Sequence, residues 1–368
     1  MGIIGLGFEG FRPSISDLST REMMFEAAHK AYADAGIDPR KDADSFVSCD
    51  EDFWEGWSIT DEMVPDQIGA ARRTLCTVAA DGITGIGQAF MHILSGMAEI
   101  AVVEAHSKVA DVVDKEVVEK MALDPSYLRP LGLDSDSLAA LEMSAFMNKT
   151  GIRREELDSY IFTAKARGLK NARASYGAKV SKRDLKDARI ISTPMLSFDK
   201  ANYSEASIVL VLASDRWIKK NHVDAVYIDA ISWSSSIPWY EGGSVVSPEY
   251  AANSFAKVKT ETGKSLGNFD ILEIDDTYSY KFFQHLYAIS GDKKEVISMA
   301  GEDFVNPSGG AIAVGHLIEA SGLHRVLECI LQLRGDAGPL QLKRVSRALA
   351  ISWRGIPTAT GAAIALSR

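Results

Sequence analysis

One order of elements is written twice in this chain. An amphipathic pattern over about residues 20–35 stops at Gly36, crosses a polar stretch and enters the apolar run Ser45-Phe-Val-Ser-Cys49-Asp50. Residues 248–262 repeat it, followed by Gly263, a polar loop and Ile271-Leu-Glu-Ile-Asp275-Asp276. A helical stretch opened by glycine comes next in each half, at 82–96 and at 309–333. Each leads into a β-rich run, Ile100-Ala-Val-Val-Glu104 and Ala348-Leu-Ala-Ile-Ser352. Strands alternating with helices predict an α/β protein with parallel sheets covered by helices. Two related halves must then pack together, 1–215 and 216–368. Residues 106–200 are too long for a plain connection and read as a lid or partner-binding insertion, after which Ser207-Ile-Val-Leu-Val-Leu-Ala-Ser214 closes the first half.

Composition excludes several classes. A chain of 368 residues with 46% hydrophobic residues, 24% charged residues and a net charge of −10 can bury a large core. It carries no basic, arginine-rich footprint for nucleic acid. No uncharged apolar run approaches the roughly 18–20 residues that cross a bilayer, and Met1–Gly7 enters a strand pattern in place of a signal peptide. The expectation is a cytoplasmic protein that binds neither nucleic acid nor membrane. Three scattered cysteines (Cys49, Cys76, Cys329) and seven histidines form neither a disulfide framework nor a metal-ligand spacing.

Residues 306–322 carry the chemistry: Asn306-Pro-Ser-Gly309-Gly310-Ala-Ile-Ala-Val-Gly315-His316-Leu-Ile-Glu-Ala-Ser-Gly322. Glycines let a backbone turn sharply and approach a ligand, and a helix start behind them offers free N–H groups to developing negative charge. A histidine one turn in can serve as acid, base or oxyanion donor; a plain helix cap with a satisfied histidine reads the same way. The string resembles the Asn…Gly-Gly…Gly-His-Pro…Ser-Gly stretch of the thiolase superfamily, with Leu317 in place of the usual proline. Ala27 to Phe46, Ser95-Gly-Met-Ala-Glu-Ile-Ala-Val-Val103, and Pro194-Met-Leu with Ser204-Glu-Ala-Ser207 fall in that family's order, so the resemblance covers nearly the whole chain. It is nearest to the archaeal and sterol-carrier type, whose Gly-rich end is matched by Ile356-Pro-Thr-Ala-Thr-Gly361. It implies two βαβ halves in a layered αβαβα architecture with the active site between them.

The catalytic positions depart from the family. Thiolases hold a nucleophile in Ala-Cys-Ala-Ser-Gly at a helix N-terminus, which favours the thiolate. Here the stretch is Val78-Ala79-Ala80-Asp81-Gly82, and ungapped counting from Ser95-Gly96 puts Ala79 on the cysteine. Cys76, three residues upstream, reads as a buried strand residue. The His-Asp-Cys-Phe loop is replaced by Asp275-Asp276-Thr277-Tyr278. Asp276 keeps an acidic position whose job is to accept backbone N–H groups at a strand end. Asp275, beside another acid in a partly apolar cleft, is expected to have a raised pKa and to act as a base, or else to be a solvated loop residue. Tyr278 is either core or a phenol facing a substrate oxygen.

The resemblance implies that His316 and Asn306 stabilise a thioester enolate oxygen, and that Gly309, Gly310 and Gly315 approach the substrate. Without a cysteine the chain resembles aldolases of the same superfamily, which break a carbon–carbon bond of a β-hydroxyacyl-CoA or β-ketoacyl-CoA with no covalent intermediate and work with a zinc-ribbon/OB-fold partner. Two alternatives remain: a silent thiolase-like subunit scaffolding a second, active one, and an acyltransferase whose nucleophile has been replaced at Ala79. Coenzyme A thioester enters as substrate, with no tightly bound cofactor and no metal, and a homodimer is the expected core. Trp233 and Trp239, in a Ser/Gly/Pro-rich stretch, pack on the body, a partner or an apolar acyl group. Lys165 and Arg167 lie in the clearest basic patch, which is a solvated helix face or a partner for CoA phosphates.

Overall fold

Helix boundaries follow the local sequence closely. In the computed structural model, which describes residues 1–368, the first half runs β1 (Gly2–Arg12), α1 (Thr20–Ala35), α2 (Pro39–Asp42), β2 (Ser45–Cys49), β3 (Thr74–Thr77), α3 (Gly82–Leu94) and β4 (Ile100–Ser107). Ser19 and Glu22 form a reciprocal capping box at the start of α1, and Gly36 ends it in the left-handed region. The insertion holds α4 (Lys115–Met121), α5 (Ser135–Thr150), α6 (Arg154–Gly168), α7 (Lys182–Lys186) and a small hairpin of β5 (Ile190–Ser192) and β6 (Met195–Leu196) before β7 (Glu205–Ala213) returns. The second half runs α8 (Asp215–Asn221), β8 (Val226–Ser235), α9 (Glu249–Thr262), β9 (Ile271–Ile274), α10 (Ser279–Ser290), α11 (Lys293–Met299), α12 (Gly310–Val314), α13 (Ala320–Arg334), β10 (Arg347–Trp353) and β11 (Thr360–Ser367).

Nine strands form one continuous sheet in the order β3-β2-β4-β7-β1-β8-β11-β10-β9. The run β2-β4-β7-β1 in the first half recurs as β9-β10-β11-β8 in the second, so the duplicated sequence pattern has a duplicated strand order. The two half-sheets pair through β1 and β8, at Gly2 with Tyr227 and Ile3 with Val226. The sheets are mixed, which corrects the expectation of parallel sheets. β2 runs parallel to β3 and β4, and β9 to β10. β7 and β11 run antiparallel to their neighbours. For β11 the cause is local: the short turn between Trp353 and Thr360 can only return the chain antiparallel.

The layers follow from which residues face which core. α3 and α13 lie between the two half-sheets, where Ile83, Ile86, Leu323, Val326 and Ile330 meet Val103, Leu210, Ala350 and Ile364. Along β4, Ala101 and Val103 face this central layer while Ile100 and Val102 face α1 on the outside. A strand buried on both faces reads as a continuous apolar run. The opposite outer layer packs α5, α6, α9 and α10 on Leu272, Ile274, Leu349 and Ile351. The result is a helix, sheet, helix, sheet, helix stack. No helix is long and apolar enough to cross a membrane.

Two local expectations are corrected. The helical stretch 309–333 is two helices, because Gly315 adopts φ 117° and ψ 158°, and a Cβ there would sit 2.3 Å from Ser204 Oγ. Cys76 is half-buried, since its strand β3 pairs on one side only and forms the sheet edge.

Candidate active site

His316 sits on the break between α12 and α13 and not one turn into a helix. Its amide donates to the Asn202 carbonyl at 2.8 Å and its carbonyl accepts from the Ser204 amide at 3.0 Å, so the 202–204 segment grips it as a short strand would. The ring lies 5.4 Å from that of Tyr203, and Nδ1 is 3.1 Å from Ser321 Oγ. Ser321 Oγ accepts the Leu317 amide at 3.1 Å, so its hydroxyl proton is free to point at Nδ1. That arrangement leaves the imidazole proton on Nε2. Burial lowers the His316 pKa to about 4 against the opposing pull of Asp275. At neutral pH the ring is an uncharged N–H donor.

His316 opens onto a cleft of about 620 Å³ that it shares with Ala79, Tyr278, Tyr203, Lys200 and Glu319. Residues of α4 and the start of α5 complete its lining. Ala79 is exposed in the same cleft, three residues before α3 begins. The N-terminus of α3 is closed by Asp81, which accepts the Ile83 amide at 3.0 Å, and by the Glu319 carbonyl, which accepts the Gly82 amide at 2.9 Å. No cysteine lines the cleft. Cys49 and Cys329 are fully buried, and burial pushes both thiols well above the ordinary range.

Tyr278 is buried in the outer core and also lines the cleft. Its hydroxyl lies 3.3 Å from Asp136, which also pairs with Lys200 at 2.7 Å. Burial, then Asp136 and Glu119, raise its pKa well above the usual phenol value, so it keeps its proton and donates.

Asp275 does not behave as expected. It is fully buried, and Oδ2 lies 2.9 Å from the Arg325 guanidinium in an ion pair that lacks hydrogen-bond alignment. Burial alone would raise its pKa, but Arg325, then His285, the Thr277 amide and His316, bring it below the ordinary carboxylate value. It is a fixed anion outside the cleft lining and not a raised-pKa base. The raised partner is Asp276, pushed to about 6 chiefly by burial. As expected of its position it accepts backbone: the Ala311 amide at 2.6 Å, with the Tyr160 hydroxyl at 2.7 Å.

Several other expected site residues are engaged by the fold. Asn306 is fully buried, with Oδ1 on the Ile274 amide at 2.7 Å and Nδ2 on the Ile274 carbonyl at 2.9 Å and Tyr160 at 2.8 Å. No polar atom remains for a thioester. Gly309 and Gly310 face protein: a Cβ would lie 2.8 Å from the Ala164 carbonyl in the first case and 2.1 Å from Asp276 in the second. Lys165 is buried and donates to the Ile312 carbonyl at 2.6 Å, its pKa lowered to about 8 by burial. Arg167 holds the Val305 and Glu302 carbonyls at 2.6 and 2.8 Å. Neither cation lines the cleft: Lys165 staples α6 to α12 itself, and Arg167 staples it to the segment before α12. Trp233 is on β8, not in a loop, and covers Gly87 of α3. Trp239 stacks edge-on against Tyr240 beside the outer core.

Tyr203, Lys200 and Glu319 are the site residues that sequence reasoning missed. Lys200 ends the insertion and Tyr203 follows it, and both reach the cleft only through tertiary pairing. Glu319 had a visible signal: an acid inside the apolar stretch three residues after His316.

With this geometry in place, the comparisons assign a class. Residues 249–367 match the family described as thiolase C-terminal domain-like. The acetyl-CoA acetyltransferase of Methanocaldococcus jannaschii is 25% identical over 359 residues, covering 91% of this chain and 90% of its own. Sterol carrier protein 2 of Bos taurus is 22% identical, over 94% of this chain and 68% of its own. Among solved structures, the Ltp2-ChsH2(DUF35) aldolase superposes with a TM-score of 0.83 at 18% identity, covering 100% of this chain and 97% of that one. The C-terminal third of the chain thus matches a thiolase family model, and the whole chain has the thiolase fold.

Proposed function

We propose that this protein binds an acyl-CoA thioester in the His316 cleft and makes or breaks a carbon–carbon bond of a β-hydroxyacyl-CoA without an acyl-enzyme. The observation that carries the reading is an uncharged His316 N–H donor, its tautomer set by Ser321, in a cleft that no cysteine lines and that Ala79 shares, the residue on which ungapped counting puts the thiolase cysteine. The oxyanion half of the chemistry is retained and the covalent half has no atom to perform it. In the cleavage direction His316 Nε2–H donates to the thioester oxygen as the enolate forms. The Tyr278 phenol donates to the oxygen that becomes the product carbonyl. A β-ketoacyl-CoA fits less well, since its cleavage needs a nucleophile to accept the acyl group.

A small zinc-ribbon/OB-fold partner belongs to this proposal, supported by the likeness to the Ltp2-ChsH2(DUF35) aldolase. A homodimer core and a cytoplasmic location complete it. The second reading, a silent subunit scaffolding an active one, is favoured by the commitment of Asp275 and Asn306 to the fold.

Intact-mass spectrometry after incubation with acetyl-CoA, together with assay of 3-hydroxyacyl-CoA cleavage, tests the proposal. The expected result is release of a carbonyl product with the protein mass unchanged. An acyl adduct on residues 74–84 that survives denaturation would overturn the non-covalent mechanism. Absence of cleavage, with any co-purifying subunit present, would leave the scaffold.

A further inference from the structure

Glu319 is a buried cleft carboxyl with no assigned task. It lies three residues past His316 on the break between α12 and α13 and is 5% exposed. Its Oε2 is shielded from solvent and meets no hydrogen-bond partner. Its backbone, in contrast, is fixed: the carbonyl accepts the first amide of α3 at 2.9 Å. Glu319 lines the same cleft as Ala79, His316 and Tyr278. A buried carboxyl with no partner is destabilising by itself, and such groups concentrate where chemistry uses them. The groups facing it are Glu51, Glu55 and Arg354. Arg354 is paired with Glu51, and Glu55 lies 3.4 Å from His106. Neither arrangement supplies a hydrogen bond to Oε2.

Asp50 also lines the cleft with one oxygen unpartnered, but its other oxygen accepts the Ser48 hydroxyl at 3.4 Å, and His106 draws back down the pKa that burial raises. The groups already named for the chemistry are unsuited to moving a proton. Asp275 is held as an anion by Arg325 outside the cleft lining. Tyr278 keeps its proton, and the His316 ring already has Nδ1 facing Ser321. We propose that Glu319 is the acid–base residue of the carbon–carbon lyase reaction, carrying one proton between the β-hydroxyl and the α-carbon of the acyl thioester. The inference rests on the lyase reading above. In cleavage the Glu319 carboxylate takes the hydroxyl proton, and the O–H electron pair becomes the carbonyl π bond. The Cα–Cβ pair becomes the thioester enolate, with its oxygen on His316. Protonated Glu319 then delivers the same proton to the α-carbon, forming the C–H bond and regenerating the carboxylate. No co-reactant is consumed. The products are a carbonyl compound and a shorter acyl thioester.

Burial, then Glu51 and Glu55, raise the Glu319 pKa well above the ordinary carboxylate value. Cleavage, which starts from the carboxylate, should therefore rise with pH through an ionisation higher than that of a free glutamate.

The test uses the full chain with any subunit that co-purifies. Deuterium uptake at the α-carbon of propanoyl-CoA in D2O is read by mass spectrometry beside cleavage of 3-hydroxyacyl-CoA. Glu319→Gln should lower both by about a hundredfold or more, the range of a lost general acid–base, with melting temperature and propanoyl-CoA binding unchanged. Glu319→Asp should retain partial exchange with a displaced pH midpoint, a change that a purely structural role would not produce. If Glu319→Gln exchanges within about tenfold of wild type, or Glu319→Asp leaves the midpoint in place, this assignment is wrong while the lyase reading stands. A wild type that neither exchanges nor cleaves removes both.

Discussion

Arg325→Met asks whether one buried cation organises the floor of the site. Arg325 is 1% exposed; one Nη lies 2.9 Å from Asp275 and 3.8 Å from Asp276, and the other donates to the Ser321 carbonyl at 2.8 Å. Methionine approximates the stem without the charge, so the change leaves Asp275 and Asp276, both fully buried, facing each other uncompensated. Removing one partner of a buried pair costs about 3–5 kcal/mol, a large share of the roughly 5–15 kcal/mol that holds a folded protein together. The Asp275 pKa should move from below its ordinary value to above it, because burial is then no longer offset by the guanidinium. Urea unfolding followed by circular dichroism should show a loss of about 3–5 kcal/mol at pH 7. Repeating the titration at pH 5 should recover part of it, because protonation neutralises the stranded carboxylates. Adding Asp275→Asn and Asp276→Asn should recover part at pH 7 as well. A loss under about 1 kcal/mol, or one insensitive to acid, refutes the reasoning, since a desolvated carboxylate without a partner must carry that cost.

His316→Ala should lower cleavage of a 3-hydroxyacyl-CoA by about 10²–10³-fold, the range for a lost oxyanion donor, with little change in melting temperature. Ser321→Ala should fall between that variant and wild type. The histidine should contribute no titration near pH 6.5, because burial has already moved it to about 4; an activity step near 6.5 that vanishes in His316→Ala contradicts the neutral-donor assignment. Stability should fall from pH 6 to pH 9. Burial raises Asp276 to about 6, Glu55 to about 7 and Glu273 to about 8, so the folded chain keeps protons that the unfolded chain has already released. His106 adds to the same trend: burial would lower it, but Glu104 holds it at about 10, so its contribution is complete below about 6.5 and disappears as pH rises through 10. A melting temperature that is flat or rising over this window would contradict those shifts.

The local signals in the sequence carried far. Ser19 with Glu22 and the glycine at 36 set the ends of α1, and the apolar runs at 45–49, 100–104, 207–213 and 271–274 became strands because a run of that length buried on two faces has no other economical conformation. The Gly-His string pointed to a cleft, since His316 lines one. What failed shares one cause. Asp275 read as a base because its neighbour in sequence is an acid; its neighbour in space is Arg325, fifty residues on. Asn306, Gly309 and Gly310 read as ligand-facing because glycine and asparagine signal a turn, and a turn is silent about whether protein or substrate occupies its concave side.

By itself, the sequence determined the doubled order of strands and helices, the absence of a thiol at Ala79 and the presence of a histidine behind Gly315, because these depend on residue identity and short-range periodicity. The tertiary structure decided everything that depends on which charges meet: Arg325 fixing Asp275 as an anion, Ser321 setting the His316 tautomer, and the 202–204 segment bringing Tyr203 to the cleft. Electrostatic energies inside a protein scale with distance and burial, neither of which is written in the order of residues.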